Sequence, residues 1–169
     1  MQQQGPMTKP AGTGTASTNE QLLTFIVDGE EYGVDILRVQ EIRSWSNPMP
    51  IPNTPHYIKG VINIRGDVVA IADLRERLGL PSLQYGATTV VVVLRVGGGQ
   101  RERVMGVIVD AMSDVTSVPQ AAIKTPPSFK SSHEGSLAKG IVTLENKMIT
   151  ILDVDMIFDV SSGSLVPTA

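Results

Sequence analysis

The chain repeats itself, and the repeat limits the folds open to it more than any other feature. Lys59-Gly60-Val61-Ile62-Asn63-Ile64 returns as Lys139-Gly140-Ile141-Val142-Thr143-Leu144, at an offset of 80. A three-residue turn and a strand follow each copy. Those strands end as Ile71-Ala72-Asp73-Leu74 and Ile151-Leu152-Asp153-Val154. Upstream, Gly33-Val34 matches Gly106-Val107 and Glu41-Ile42 matches Asp114-Val115, at an offset of 73. The loop after Val118, with Pro119, Pro126 and Pro127, absorbs the difference. Order, turns and both Asp positions repeat together, which argues against coincidence among Val-rich strands. The body therefore reads as two copies of one unit, about 22–80 and 88–160, each with four or five short strands and a terminal helical turn. A unit of roughly 60 residues lies near the lower limit for a core of its own. Two such units gain by packing on each other or exchanging strands, and the groove between them is a natural place for binding.

The residue types in the repeat are those of strands. Val and Ile together number 34 against 12 Leu, and 13 Thr join them. β-branched side chains are stiff at χ1 and suit a pleated, half-buried surface. Sixteen Gly and 11 Pro supply many turns. Leu22–Val27 and Glu31–Asp35 flank Asp28-Gly29 as a hairpin. Ile58–Ile64 and Val68–Ala72 flank Arg65-Gly66-Asp67. Thr88–Val96 and Arg103–Asp110 flank Gly97-Gly98-Gly99, and Ile141–Leu144 and Met148–Leu152 flank Glu145-Asn146-Lys147. Short helices are expected at Leu74–Leu78 and Val154–Phe158, after Asp73 and Asp153; Asp73 and Glu76 have capping-box spacing. The fold class is all-β, a sandwich or barrel with few short helices. Residues 1–21 are poor in large apolar side chains and read as a disordered tail, and 161–169 as a flexible end.

Several functions are excluded on composition. The chain has no Cys, hence no disulfide, thiolate site or Cys nucleophile. Two histidines are too few for most His-based metal sites. A net charge of −3 offers nothing to nucleic acid or anionic lipid, and 4% aromatic residues make no stacking platform. The longest strongly apolar run, Val90–Leu94, is far short of a membrane span. The polar N-terminus does not resemble a signal segment. The expectation is a soluble cytoplasmic protein with no cofactor and no membrane insertion.

Catalytic constellations are scarce. His56 and His133 lack a nearby nucleophile. Asp73, Asp110, Asp153 and Asp155 could be assembled into an acid/base pair, which keeps a small carboxylate-dependent β-barrel hydrolase as an alternative. The equivalent placement of Asp73 and Asp153 in the two copies argues instead for helix capping. Gly97-Gly98-Gly99 lacks the Lys-Ser/Thr of a phosphate loop and reads as a flexible tip. Arg65-Gly66-Asp67 spells an integrin tripeptide by chance. Arg65 itself sits at a hairpin tip where copy two carries Glu145, so the repeat does not require it; a solvated charge and a partner contact are both consistent with it. Ile36, Val39 and Ile42 recur at three-residue spacing and read as a core-facing edge. Trp45, the only Trp, lies in a polar loop, as a barrel cover or a contact residue.

Two blocks together resemble the CheW family of bacterial chemotaxis coupling proteins. One is Glu31-Tyr32-Gly33-Val34-Asp35-Ile36 with Val39-Gln40-Glu41-Ile42. The second and most specific holds Pro50, Pro55 and Tyr57-Ile58-Lys59-Gly60-Val61-Ile62-Asn63-Ile64-Arg65-Gly66; Val69, Ile71, Asp73, Leu74 and Arg75 extend it. The match runs over Leu22–Val160, without room for the receiver or kinase domains that carry such a module elsewhere in the family. The resemblance implies two pseudo-symmetric five-stranded SH3-like β-barrel subdomains. It implies a non-enzymatic adaptor that links chemoreceptor cytoplasmic tips to the regulatory domain of the CheA histidine kinase, cytoplasmic but recruited to receptor arrays. A related adaptor of a non-chemotaxis pathway is the alternative. Carried onto matching positions, the receptor-binding candidates are Val39, Glu41, Ile42, Gly60 and Arg65, with Val90 and Val115 less motif-specific. The implied recognition is an apolar groove taking a receptor helical hairpin, oriented by Arg65 and Glu41. Kinase contacts are implied at apolar barrel ends, without residue assignments.

Overall fold

The structure, a computed structural model, describes residues 18–126 and 137–158. Ten strands are present: β1 (Asn19–Val27), β2 (Glu30–Asp35), β3 (Val39–Ser44), β4 (Ile58–Ile64), β5 (Asp67–Asp73), β6 (Val90–Val96), β7 (Arg103–Val109), β8 (Ala111–Pro119), β9 (Ala138–Leu144) and β10 (Lys147–Leu152). Two helical turns, α1 (Leu74–Arg77) and α2 (Val154–Ile157), follow β5 and β10. The strands form two five-stranded sheets, ordered β8-β1-β2-β10-β9 and β3-β6-β7-β5-β4.

The repeat and the sheets do not coincide. Copy one gives β1 and β2 to the first sheet and β3, β4 and β5 to the second; copy two does the reverse. Replacing each strand by its repeat equivalent turns one strand order into the other. The exchange is closed by parallel ladders, Ile151 beside Gly33 and Ile71 beside Gly106. Each barrel-like subdomain is thus built from both copies, because neither copy alone can cover its own sheet. The loop after β3 bridges to β4 through Met49 and Val61, and the loop after β8 bridges to β9 through Lys124 and Ile141. These equivalent bridges curl each sheet toward closure.

Glycines sit where the backbone comes close. A Cβ on Gly60 would lie 2.1 Å from the Met49 carbonyl oxygen, and the residue adopts φ +142°. On Gly106 it would lie 2.5 Å from Ile71 Cδ1. Three apolar clusters fill the molecule. Ile64, Val69, Ile71, Val91, Val93 and Ile108 fill one barrel, and Leu22, Val118, Val142, Ile149 and Ile151 the other. The largest lies between the sheets and includes Phe25, Val34, Leu94, Val107, Leu74 and Phe158. Burying such side chains is worth about 1.5–3 kcal/mol each, so the halves are held together chiefly there.

Several sequence expectations change. β1 starts at Asn19, not Leu22: Asn19, Glu20 and Gln21 pair through their backbones with Pro119, Val118 and Ser117, which needs no apolar side chains. The tail expected over 1–21 therefore yields its last residues to a strand; 1–17, His133, Val160 and 161–169 lie outside the described residues. The turns after β4 and β9 hold two residues, because Asp67 and Lys147 already pair in the ladders. Arg65 (φ 51°) with Gly66 (φ 91°), and Glu145 (φ 48°) with Asn146 (φ 64°), take the left-handed backbone that matches strand twist. Ile36, Val39 and Ile42 do not share a core face. A three-residue 3-10 turn, Ile36–Arg38, ends at Val39, and Ile42 is 45% exposed on β3.

Candidate functional site

β3 is an edge strand, and its alternation sorts its side chains. Val39, Glu41 and Arg43 are half-buried, whereas Gln40, Ile42 and Ser44 are exposed. Val39 packs against the central core. Sheet curling brings the β4–β5 hairpin tip back to this edge. Arg65 Nη2 lies 2.8 Å from Glu41 Oε2, and Arg43 Nη1 lies 2.9 Å from Glu41 Oε1. Asn63 Oδ1 accepts a 2.9 Å hydrogen bond from the Gly66 backbone N–H, which fixes the turn that aims Arg65. The Arg65 side chain remains 74% exposed while Glu41 is 17% exposed. The Arg43 hydrogen bond, followed by the charge of Arg65, holds the Glu41 carboxyl below the usual glutamate range against an opposing effect of burial. The carboxylate is therefore ionised at neutral pH and clamps two guanidinium groups at one edge.

The seven candidate residues divide. Glu41 and Arg65 meet on one face of the β3 edge, whereas Ile42 is exposed on the opposite face of the same strand. Gly60 is buried and holds the Met49 loop against β4, so it shapes the barrel and presents no side chain. Val90 pairs with Ser44 at the end of the β3–β6 ladder and rests half-buried on the core. Val115 lies on β8 of the other sheet, at the repeat equivalent of Ile42, and is 50% exposed. Sequence reading missed Arg43, two residues from Glu41 and hence on the same strand side. It also missed Val68 and Met148, an equivalent pair exposed at the two hairpins, and Leu37, 78% exposed in the 3-10 turn. Leu37, Ile36, Asn19 and Gln21 line a surface groove of about 480 Å³. No spacing rule separates an exposed Leu from a buried one in such a short turn.

The carboxylates considered for acid/base chemistry all hold structure. Asp73 Oδ1 accepts from the Arg75 backbone N–H at 2.9 Å, and its other oxygen accepts from Tyr85 Oη at 2.6 Å. That is a cap, but not the capping box, since Glu76 pairs with Lys59 instead of reaching back. Burial and the Asp73 carboxylate push the Tyr85 phenol well above its ordinary range. Tyr85 in turn stacks on Trp45 with ring centroids 4.1 Å apart, so Trp45 covers its barrel. Asp110 accepts from Arg75 Nη1 at 2.7 Å and from the Asp28 backbone N–H at 2.8 Å. Arg75 is only 6% exposed; burial works against its charge, but Asp110 and Asp28 outweigh that and raise its pKa. Asp153 caps α2 through the Asp155 N–H, and Asp155 accepts from Arg38 and from the Gly97 N–H. Among the described residues no cluster of His, Asp and Glu could hold a metal ion. No described helix is long and apolar enough to cross a membrane.

Comparison with known proteins places the chain in a family and matches its fold. Residues 21–162 match the CheW-like domain family. The chain is 37% identical over 138 residues to the chemotaxis protein CheW of Rhizobium meliloti, covering 82% of this chain and 86% of that one. It is 36% identical over 162 residues to CheW of Klebsiella aerogenes, covering 92% and 95%. The crystal structure of the scaffolding protein TtCheW from Thermoanaerobacter tengcongensis superposes with a TM-score of 0.76 at 27% identity, covering 84% of this chain and 94% of that one.

Proposed function

We propose that this chain, which belongs to the CheW family of non-enzymatic scaffold proteins in bacterial chemotaxis signalling, couples chemoreceptor cytoplasmic tips to the CheA histidine kinase. The observation that carries the receptor half is the exposed edge of β3, which presents the Glu41–Arg65 pair on one face and Ile42 on the other. Ile42 supplies apolar area, and Arg65 supplies an exposed guanidinium already oriented by a buried-side carboxylate. An oriented Arg loses less freedom on binding than a free one. A helical receptor hairpin lays its apolar stripe on Ile42, and Arg65 sets its angle by pairing with a polar group at the stripe's margin. Val39 and Val90 pack on the central core at the two ends of the β3–β6 ladder, and Val115 repeats Ile42 on the other subdomain.

The kinase half falls to a different surface. Leu37 projects at the end of β2 beside the groove that runs along the start of β1. An apolar side chain so exposed at a barrel end suits the regulatory domain of the kinase. Two separate faces allow one molecule to hold both partners. Each contact is modest, and the array raises the effective concentration of all of them. Residence at the membrane-associated array then follows from protein contacts, without insertion.

The test is co-sedimentation of the purified chain with a receptor-tip fragment. Arg65→Glu is expected to abolish receptor binding and Leu37→Glu to leave it intact; kinase regulatory-domain binding is expected to show the opposite pattern. Equal loss with both partners in either variant would contradict two separate faces.

A further inference from the structure

The β3 edge carries a second cation that receptor contact through Arg65 does not account for. Arg43 lies two residues from Glu41, so their side chains leave the same face of the strand. They stand opposite Val91 and Val93 of β6, both buried in the barrel, and so rise on the barrel side of the sheet. The Glu41 carboxylate is divided between two guanidinium groups. Oε1 meets Arg43 Nη1 at 2.9 Å and Oε2 meets Arg65 Nη2 at 2.8 Å. Arg43 joins no other ion pair among the described residues. Its side chain is 40% exposed against 74% for Arg65, so Arg65 is the one that reaches outward.

The second copy forms the same edge without this arrangement. Asp114, Thr116 and Glu145 stand at the repeat positions of Glu41, Arg43 and Arg65. Asp114 Oδ1 accepts from the neighbouring Val115 N–H at 2.7 Å, a contact within its own strand. β8 nevertheless pairs with β1 along its length. Neither the strand nor the protection of its edge therefore requires the two arginines. What Arg43 adds is local. A carboxylate held at one oxygen turns about its last, soft torsion and offers either oxygen. Arg43 occupies Oε1 and leaves Oε2 to Arg65, which restricts a long side chain before it binds.

We propose that Arg43 is a positioning residue for receptor recognition: it holds Glu41, Glu41 aims the Arg65 guanidinium, and Arg43 itself does not touch the receptor. This role rests on the receptor contact of Arg65 proposed above. The test is a double-mutant cycle on binding of a receptor-tip fragment by the full chain, with Arg43→Ala, Arg65→Ala and both together. Arg43→Ala alone is expected to weaken binding about threefold, and to change it by less than about 1.5-fold once Arg65 is replaced, because its effect passes through that residue. Arg43→Lys keeps a cation near Oε1 and should recover most of the affinity. In the free protein, the Arg65 Nε–H resonance should move in Arg43→Ala and lie nearer its parent position in Arg43→Lys, while amide signals away from the β3 edge stay in place. Equal weakening by Arg43→Ala in both backgrounds would mean direct contact or general support of the fold, and would overturn the proposal. So would parent-like binding by Arg43→Ala where Arg65→Ala binds weakly. Parent-like binding by Arg65→Ala would instead remove the receptor contact, and this role with it.

Discussion

At the scale of single residues, the candidate site depends on one carboxylate with two arginines. Because Arg65 is 74% exposed, its stability contribution is small. Arg65→Ala is expected to shift the melting temperature by no more than about 2 °C while impairing receptor binding. An earlier melt would show a structural role instead. Glu41 gives a pH signature with a definite sign. Its folded pKa is depressed, so its pairing contributes fully above the unfolded value and is lost as pH falls through the lower folded one. A side-chain carboxyl NMR titration should place its midpoint below the ordinary 4.5, and Arg43→Ala or Arg65→Ala should each move it upward. Arg75 is a different case, a nearly buried cation bonded to Asp110, Asp28 and the Pro81 carbonyl. Arg75→Met leaves two carboxylates short of a partner and should cost about 2 kcal/mol in urea denaturation, below the ~3–5 kcal/mol of a fully buried pair because both carboxylates reach solvent. Glu41 and Arg65 were legible as a pair only through the family motif. Their contact joins β3 to the far hairpin, and no local spacing predicts it.

At the scale of elements, hairpins were the most readable part of the chain. Asp28-Gly29, Arg65-Gly66 and Asn146 are residues that accept left-handed backbone, and each marks a real turn. β8 was harder to see. Ser113, Asp114, Thr116 and Ser117 give it little apolar signal, since it is an edge strand with one face in water. Its irregular pairing with β1 also explains Thr24, a buried polar residue where the repeat has Val93. The Thr24 hydroxyl donates to the Asp114 carbonyl oxygen at 3.1 Å and accepts from the Asp114 N–H at 3.0 Å, satisfying backbone that the bulge leaves unpaired. The equivalent glycines differ in a testable way. At Gly106 an added methyl meets Ile71 and Val91 at 2.5 and 2.9 Å, whereas at Gly33 the nearest atom is 3.3 Å away. Gly106→Ala should therefore cost about 1–3 kcal/mol and Gly33→Ala clearly less, by the same denaturation measurement. Similar costs would mean that the two barrels are packed alike.

At the scale of the molecule, the repeat was legible and the strand exchange was not. An offset establishes which strands are equivalent, but not which are neighbours. The pairing is settled by burial: Val34, Leu94 and Val107 need a layer from the other copy to cover them. The same architecture inverts one electrostatic link. Arg75 on α1 meets Asp28 and Asp110, whereas its equivalent, Asp155 on α2, meets Arg38. Copy one therefore complements copy two in charge as well as shape. A fragment ending at Leu80 should lack stable structure by circular dichroism, and the whole chain should unfold in one transition seen alike by Trp45 fluorescence and far-ultraviolet dichroism. Two rigid subdomains then present separate faces, which is what an adaptor requires. The most direct measurement of that claim is autophosphorylation of the CheA kinase with receptor fragments, with and without this chain. The account predicts strong activation by the parent chain, and loss of activation with folded Arg65→Glu and Leu37→Glu variants alike. Undiminished activation with both folded variants, or none with the parent, would contradict it.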